Sequence, residues 1–157
     1  MTILLVRHAR AGRRDRWKGD DRLRPLSKKG RGQAAGLPAL LEPWVPTGRA
    51  RPLLVSSPWV RCAETLAPLA ATLHVEVAED ETLGEGMGAK AAETLGGWRR
   101  RRVVVACTHG DVIEEILDGL AAAGVDLGAH RSAAKGSVWV LEGAGAAVTA
   151  RYLPPPN

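Results

Sequence analysis

The stretch Ile3-Leu4-Leu5-Val6-Arg7-His8-Ala9-Arg10-Ala11-Gly12 decides how the chain is read. Four aliphatic residues make a short strand suited to burial on both faces, and they run directly into an arginine and a histidine. A strand end is a rigid mount for a reactive side chain. A second passage of this kind lies a hundred residues on, where an apolar strand over 102–107 leads into Thr108-His109-Gly110-Asp111. Two histidines delivered by two strands to one sheet edge point to chemistry rather than packing.

Between and beyond these passages, short aliphatic runs alternate with helical patterns, which predicts one α/β domain over residues 1–157 with a largely parallel sheet. After a first strand at 2–6 and a polar loop from 9 to 25, Ser27 is placed to cap a helix reaching 41, with Ala34, Leu37, Leu40 and Leu41 facing a core. Gly30, Gly32, Gly36 and Pro38 weigh against it. A second strand covers 52–56, and Ser57-Pro58 reads as the N-cap and first residue of a helix to 73, with Arg61 in its first turn. A short strand at 75–77, an acidic Gly-rich loop and a helix at 89–98 follow. The helix opened by Gly110 presents Val112, Ile113, Ile116, Leu117 and Leu120 on one face. Strands at 137–141 and 147–152, joined by the turn over 142–146, close the pattern as a hairpin before a frayed Pro154–Asn157 tail.

Composition narrows the function. Hydrophobic residues make up 45% and charged residues 25% of the chain, and no apolar run approaches the roughly 18 residues of a membrane span. The N-terminus lacks the apolar segment of a secretory signal, which predicts a cytoplasmic protein. Cys62 and Cys107 stand apart from each other and from any ligand spacing, so they read as buried small hydrophobes, with no metal site and no cofactor indicated. Net charge is +5, and residues 1–33 hold half of the 22 Lys and Arg with only three acids. With aromatics at 4% and no nucleic-acid-binding motif, this concentration argues for a small anionic substrate over nucleic acid. His74 and His130 read as surface or packing residues, and Arg99–Arg102 as a solvated helix end.

In open α/β sheets, ligands bind where the carboxyl ends of strands meet helix N-termini. Three elements here have that form: the strand ending in Arg7-His8, the strand leading through Ser56-Ser57 to Arg61, and the strand leading to Thr108-His109-Gly110. They offer two guanidiniums, two imidazoles and two helix N-termini, the parts of a pocket for a dianionic phosphoryl group. Arg61 is the telling residue. A cation at the positive end of a helix is disfavoured unless an anion lies between.

The strings VRHA (6–9), RPLSKKGRGQA (24–34), SSPWVRCAET (56–65) and THGD (108–111) resemble the landmarks of the histidine phosphatase superfamily, in order and in spacing. The RHA start and the small size resemble the compact SixA-type phosphohistidine phosphatases, and also the histidine phosphatase module found beside MutT-type Nudix domains. The resemblance implies a phosphoglycerate mutase-like three-layer sandwich, with a mostly parallel central sheet and helices on both faces. It implies a metal-independent phosphatase in which His8 attacks phosphorus and carries the phosphoryl group as phosphohistidine. Arg7, Arg61 and His109 would hold the phosphoryl oxygens, His109 in neutral or protonated form. Neighbouring arginines would keep His8 unprotonated, and a backbone carbonyl would fix its tautomer. Glu85, after Leu83-Gly84, is the expected proton donor, with Glu81 as alternative. Arg10, Thr108 and the backbone at Gly110 are expected phosphate contacts. The implied substrate is phosphohistidine in a partner protein or a small phosphoester. The alternatives are a nucleotide or sugar phosphate handled together with a Nudix hydrolase, or a catalytically silent phosphate-binding module.

Overall fold

The computed structural model describes residues 1–45, 51–98, 103–129, 133–143 and 147–157. The Arg99–Arg102 run, His130 and part of the expected 142–146 turn lie outside the described residues. Among the described residues, β1 (Thr2–Arg7), β2 (Leu53–Ser56), β3 (Val77–Glu79), β4 (Val103–Thr108), β5 (Val138–Glu142) and β6 (Thr149–Leu153) form one sheet in the order β3-β2-β4-β1-β5-β6. Strands β3, β2, β4 and β1 run parallel, while β5 and β6 are antiparallel additions at one edge. The α/β reading and the closing hairpin both hold.

The period of two along the central strands divides the core into halves. Ile3, Leu5, Val104, Ala106, Trp139 and Leu141 face one side. There they pack against α3 (Gly88–Gly97) and α4 (Gly110–Ala122) through Leu95, Ile113 and Leu117. Leu4, Val6, Val105, Cys107, Val138 and Val140 face the other side. Their partners are Leu37 and Leu41 of α1 (Lys28–Leu41) and Leu66 and Leu69 of α2 (Val60–Leu73). Each fully buried leucine contributes about 1.5–3 kcal/mol by leaving water, which is why both faces of β1 must be aliphatic. Helices therefore cover both faces of the sheet. Both cysteines are buried and free, as small hydrophobes.

Tertiary packing overrides local propensity in α1. Ser27 caps it by accepting from the Gly30 amide at 3.1 Å, and the helix continues through Pro38. Two of its glycines serve close approach: a Cβ on Gly30 would lie 1.9 Å from the Arg10 carbonyl oxygen, and one on Gly36 2.5 Å from Pro156. The C-terminal tail is thus not frayed but laid against α1. At α2 the expected cap is also displaced: Trp59, without a side-chain cap, precedes the helix, and Ser57 points elsewhere.

Parallel register brings the strand ends level. Arg7 pairs with Thr108 and Ser56 with Cys107, and the amides of His8 and Ser57 continue the ladder onto the carbonyls of Thr108 (3.0 Å) and Cys107 (2.9 Å). The residues just past those ends share one rim.

Candidate active site

At this rim the two imidazoles sit with ring centroids 5.3 Å apart. His8 is buried, and its Nδ1 donates to its neighbour's carbonyl, Ala9 O, at 2.8 Å. Nε2 is then the unprotonated nitrogen, its lone pair available. Burial lowers the His8 pKa to about 3, with Arg61, Arg7 and Lys135 adding repulsion while the Ala9 hydrogen bond works in the opposite direction. The arginines expected to suppress the imidazolium do so, but desolvation is the larger cause. Thr65, which sequence reasoning passed over, accepts from the Ala9 amide (2.9 Å) and donates to the Arg61 carbonyl (2.6 Å), locking the residue after His8 to α2.

His109 is held from two sides. The hydroxyl of Ser57 lies 2.9 Å from its Nε2, and Trp59 packs edge-to-face on its ring at 4.2 Å. The Trp59 amide donates to the same hydroxyl oxygen (3.4 Å). Among the described residues Nδ1 has no hydrogen-bond partner, but it faces Glu85 Oε1 at 3.5 Å; a carboxylate oxygen only accepts, which favours the histidine proton on Nδ1 and the Ser57 hydroxyl donating to Nε2. Burial, then His8 and Arg61, lower the His109 pKa to about 2, so the protonated form is not the resting one. His109 meets the site as a neutral donor.

The two arginines arrive by different routes. Arg61, in the first turn of α2, is fully buried rather than on the surface. Its guanidinium donates to the Asp21 carbonyl (2.9 Å) and to Glu85 Oε1 (2.7 Å), with Asp21 Oδ2 at 3.3 Å. These acceptors offset the unfavourable helix end. Arg24 beside Asp21, then Arg61 and Arg14, hold the Asp21 carboxyl below its ordinary range against the effect of burial. Arg7 donates to the Ala133 carbonyl and lies over the first residue of α4, where a Cβ on Gly110 would come within 2.7 Å of its Cζ. Among the described residues the Nε atoms of Arg7 and Arg61 are buried without a partner, as are His109 Nδ1 and Trp59 Nε1; donors left so are costly.

Of the expected acids, the structure brings in Glu85. It bridges Arg61 and Arg14, the latter at 2.9 Å, whereas Glu81 is exposed and paired with Arg22 at 3.0 Å. Thr108 is placed otherwise than expected for a phosphate contact. Its hydroxyl donates to the Leu83 carbonyl at 2.6 Å and so fastens the segment that carries Glu85; neither it nor Arg61 lines the open cleft. Arg10 and Gly110 do line the cleft, an open volume of about 480 Å³ that also meets Arg7, His8, Glu85, His109 and Lys135. The long first loop forms a clip over one side, fastened by Arg24 to the Gly12 carbonyl, Leu26 N to Glu64 (2.7 Å) and Arg22 to Glu81. Among the described residues no cluster of His, Cys, Asp or Glu has the form of a metal site, and no helix is long and apolar enough to cross a membrane.

Known proteins resemble this chain in sequence and in fold. Over its full 99% coverage the chain is 37% identical to an 8-oxo-(d)GTP phosphatase of Mycolicibacterium smegmatis, but it spans only 49% of that protein's length. The protein histidine phosphatase SixA complexed with tungstate superposes with a TM-score of 0.74 at 14% identity, covering 99% of this chain and 96% of that one. A mycobacterial glucosyl-3-phosphoglycerate phosphatase with inorganic phosphate gives 0.63 at 19% identity, covering 98% and 95%; at these identities both likenesses speak to fold. The family profile of the histidine phosphatase superfamily (branch 1) matches residues 3–94, which carry Arg7, His8, Arg61 and Glu85, while His109 falls beyond it. The chain belongs to the histidine phosphatase superfamily.

Proposed function

We propose that this chain removes a phosphoryl group from a nucleoside di- or triphosphate through a covalent intermediate on His8. The observation that carries the chemistry is the His8 ring: Nδ1 is committed to the Ala9 carbonyl, and Nε2 is neutral in a cleft lined by arginines. The 37% identity along the whole chain favours a nucleotide over the phosphohistidine protein with which the sequence reading began. The density of cations around the cleft suits a polyanion.

In this mechanism Arg7, Arg61, the Nδ1–H of His109 and the amide at Gly110 hold the phosphoryl oxygens. The Nε2 lone pair of His8 forms a bond to phosphorus as the bond to the leaving oxygen breaks, and that oxygen takes a proton from Glu85. Water then attacks phosphorus, the P–N bond breaks, and the Glu85 carboxylate receives the water's proton. The work of the protein is mainly positioning and charge neutralisation. The incoming dianion competes with Glu85 for Arg61, and the freed carboxylate takes up a proton from solvent before it faces the leaving oxygen as donor.

A nucleotide panel and a phosphorylated histidine-containing protein, assayed side by side with the isolated chain, test the reading. Expected are nucleotide turnover and acid-labile label on His8 that a His8→Ala variant lacks. Dephosphorylation of the protein without turnover of any nucleotide would restore the phosphohistidine assignment. Anion binding without any hydrolysis would make the chain a silent module.

A further inference from the structure

Beside the reaction cleft lies a second one of about 550 Å³, lined by Arg10, Lys29, Gln33, Ala134, Lys135 and the tail residues Pro155, Pro156 and Asn157. Arg10, Lys29 and Lys135 line both clefts, so the two are continuous. The charges on the two sides differ in one respect. Glu85 and Asp111, the acids of the reaction cleft, stand away from this extension, and no Asp or Glu lines it. Arg13, Arg14 and Arg24 are each paired with a carboxylate, whereas Arg10, Lys29 and Lys135 make no ion pair among the described residues. Like charges held together repel one another, and at Lys135 burial, followed by repulsion from Arg7, Arg24 and Arg10, lowers the pKa.

The backbones that present these cations are cross-linked. The buried Gln33 side chain accepts from the Arg10 amide at 3.0 Å and donates to the Lys135 carbonyl at 3.1 Å. The Arg10 carbonyl accepts from both the amide (2.9 Å) and the hydroxyl (3.0 Å) of Ser27, two residues before Lys29. Gly136, in a left-handed conformation that brings it against Gln33, donates to the carbonyls of Arg7 and His8. The backbone positions that carry these exposed side chains are thus fixed relative to the reacting imidazole.

We propose that Lys29 and Lys135, with Arg10 between the two clefts, form a second anion subsite that receives the next phosphoryl group of a pyrophosphate-containing substrate. This rests on the nucleotide reading for the identity of that substrate, and on the cleft alone for its charge. The subsite makes the enzyme selective for chains of phosphates over single ones.

The test is competitive inhibition of p-nitrophenyl phosphate hydrolysis by methylenediphosphonate and by methylphosphonate. The ratio of the two inhibition constants is read within each variant, so that general damage to the site cancels. The intact chain should prefer the diphosphonate by about 20-fold or more, as two charge-assisted contacts allow. Lys29→Ala/Lys135→Ala should bring the ratio below about 3 and Lys29→Arg/Lys135→Arg should keep it, while Lys18→Ala/Lys90→Ala, which removes equal charge from residues lining neither cleft, should not move it. A ratio near one in the intact chain, or one that survives loss of both lysines, overturns the subsite. Nucleotide turnover without diphosphonate preference sinks the subsite and spares the nucleotide reading; preference without nucleotide turnover does the reverse.

Discussion

Replacing Gly110 by alanine tests whether the site depends on the contact between Arg7 and the start of α4. The added Cβ would stand 2.7 Å from Arg7 Cζ and 2.9 Å from its Nε and Nη2, against an ordinary carbon contact of about 3.5–4.0 Å. The guanidinium must retreat by about 1 Å, and a misplacement of that size costs about 100-fold in rate where positioning carries the catalysis. It also strains the Arg7 bond to Ala133. Backbone preference pulls the other way, since alanine is favoured over glycine in a helix by up to about 1 kcal/mol. The expected result is a kcat/KM for p-nitrophenyl phosphate reduced 30- to 100-fold in a protein whose Tm changes by no more than about 2–4 °C. Gly119, on the same helix with open space around it, supplies the control: Gly119→Ala should leave activity intact and stabilise by about 0.5–1 kcal/mol. Gly110→Ala activity within threefold of the intact enzyme would refute the argument that this glycine exists to seat Arg7.

Removing the Ser57 hydroxyl (Ser57→Ala) frees the His109 tautomer; kcat/KM should fall about 10-fold, and the imidazole nitrogen resonances should shift from a pure Nδ1–H pattern to a mixture, whereas an unchanged spectrum would contradict the assignment. Glu85→Gln should cost about 100-fold with a poor alkyl leaving group and far less with p-nitrophenol, because proton donation matters in proportion to leaving-group basicity; equal losses would remove Glu85 from that role. Thr108→Val, which loses the tie to Leu83, should resemble a weakened Glu85 variant in the same pair of assays. The unfolded chain binds protons on His8 and His109 near pH 6.5 while the native site does so only near 3 and 2, so stability is complete above pH 6.5 and falls below it; urea midpoints should drop by the equivalent of about 2 kcal/mol per histidine by pH 5, and His109→Gln should halve the slope.

What was readable in the sequence follows from which interactions are local. The aliphatic runs of β1 and β4 announce strands covered on both faces, and the residues beyond their ends, Arg7-His8 and His109-Gly110, could be assigned to one rim because parallel strands deliver their carboxyl ends together. Partners chosen across long sequence separations left little trace. Asp21 reads as one acid in a basic loop, yet it holds Arg61 and Arg24. Ser57 resembles a helix cap, and its hydroxyl serves His109 some fifty residues away. Thr108 sits beside a catalytic candidate but spends its hydroxyl on Leu83. A side chain with two uses goes to the neighbour that burial supplies, and hydroxyls have many uses. Gln33 could have been noticed as a polar residue on the apolar stripe of α1, where a buried amide without a task would be expensive.

The low proton affinity of both imidazoles and the ionic bridge through Glu85 are two consequences of one arrangement. Burying two histidines beside two arginines at the end of an aliphatic sheet makes any further positive charge there costly, first through desolvation and then through repulsion, so the histidines stay neutral and a carboxylate is drawn in as counterion. In the proposed mechanism a phosphoryl dianion answers the same need more fully, since it meets Arg7, Arg61 and the His109 donor at once, whereas Glu85 satisfies only part of that set. Substrate binding then replaces one anion by another without building a site anew, and the carboxylate it displaces, protonated from solvent, is the group required next at the leaving oxygen.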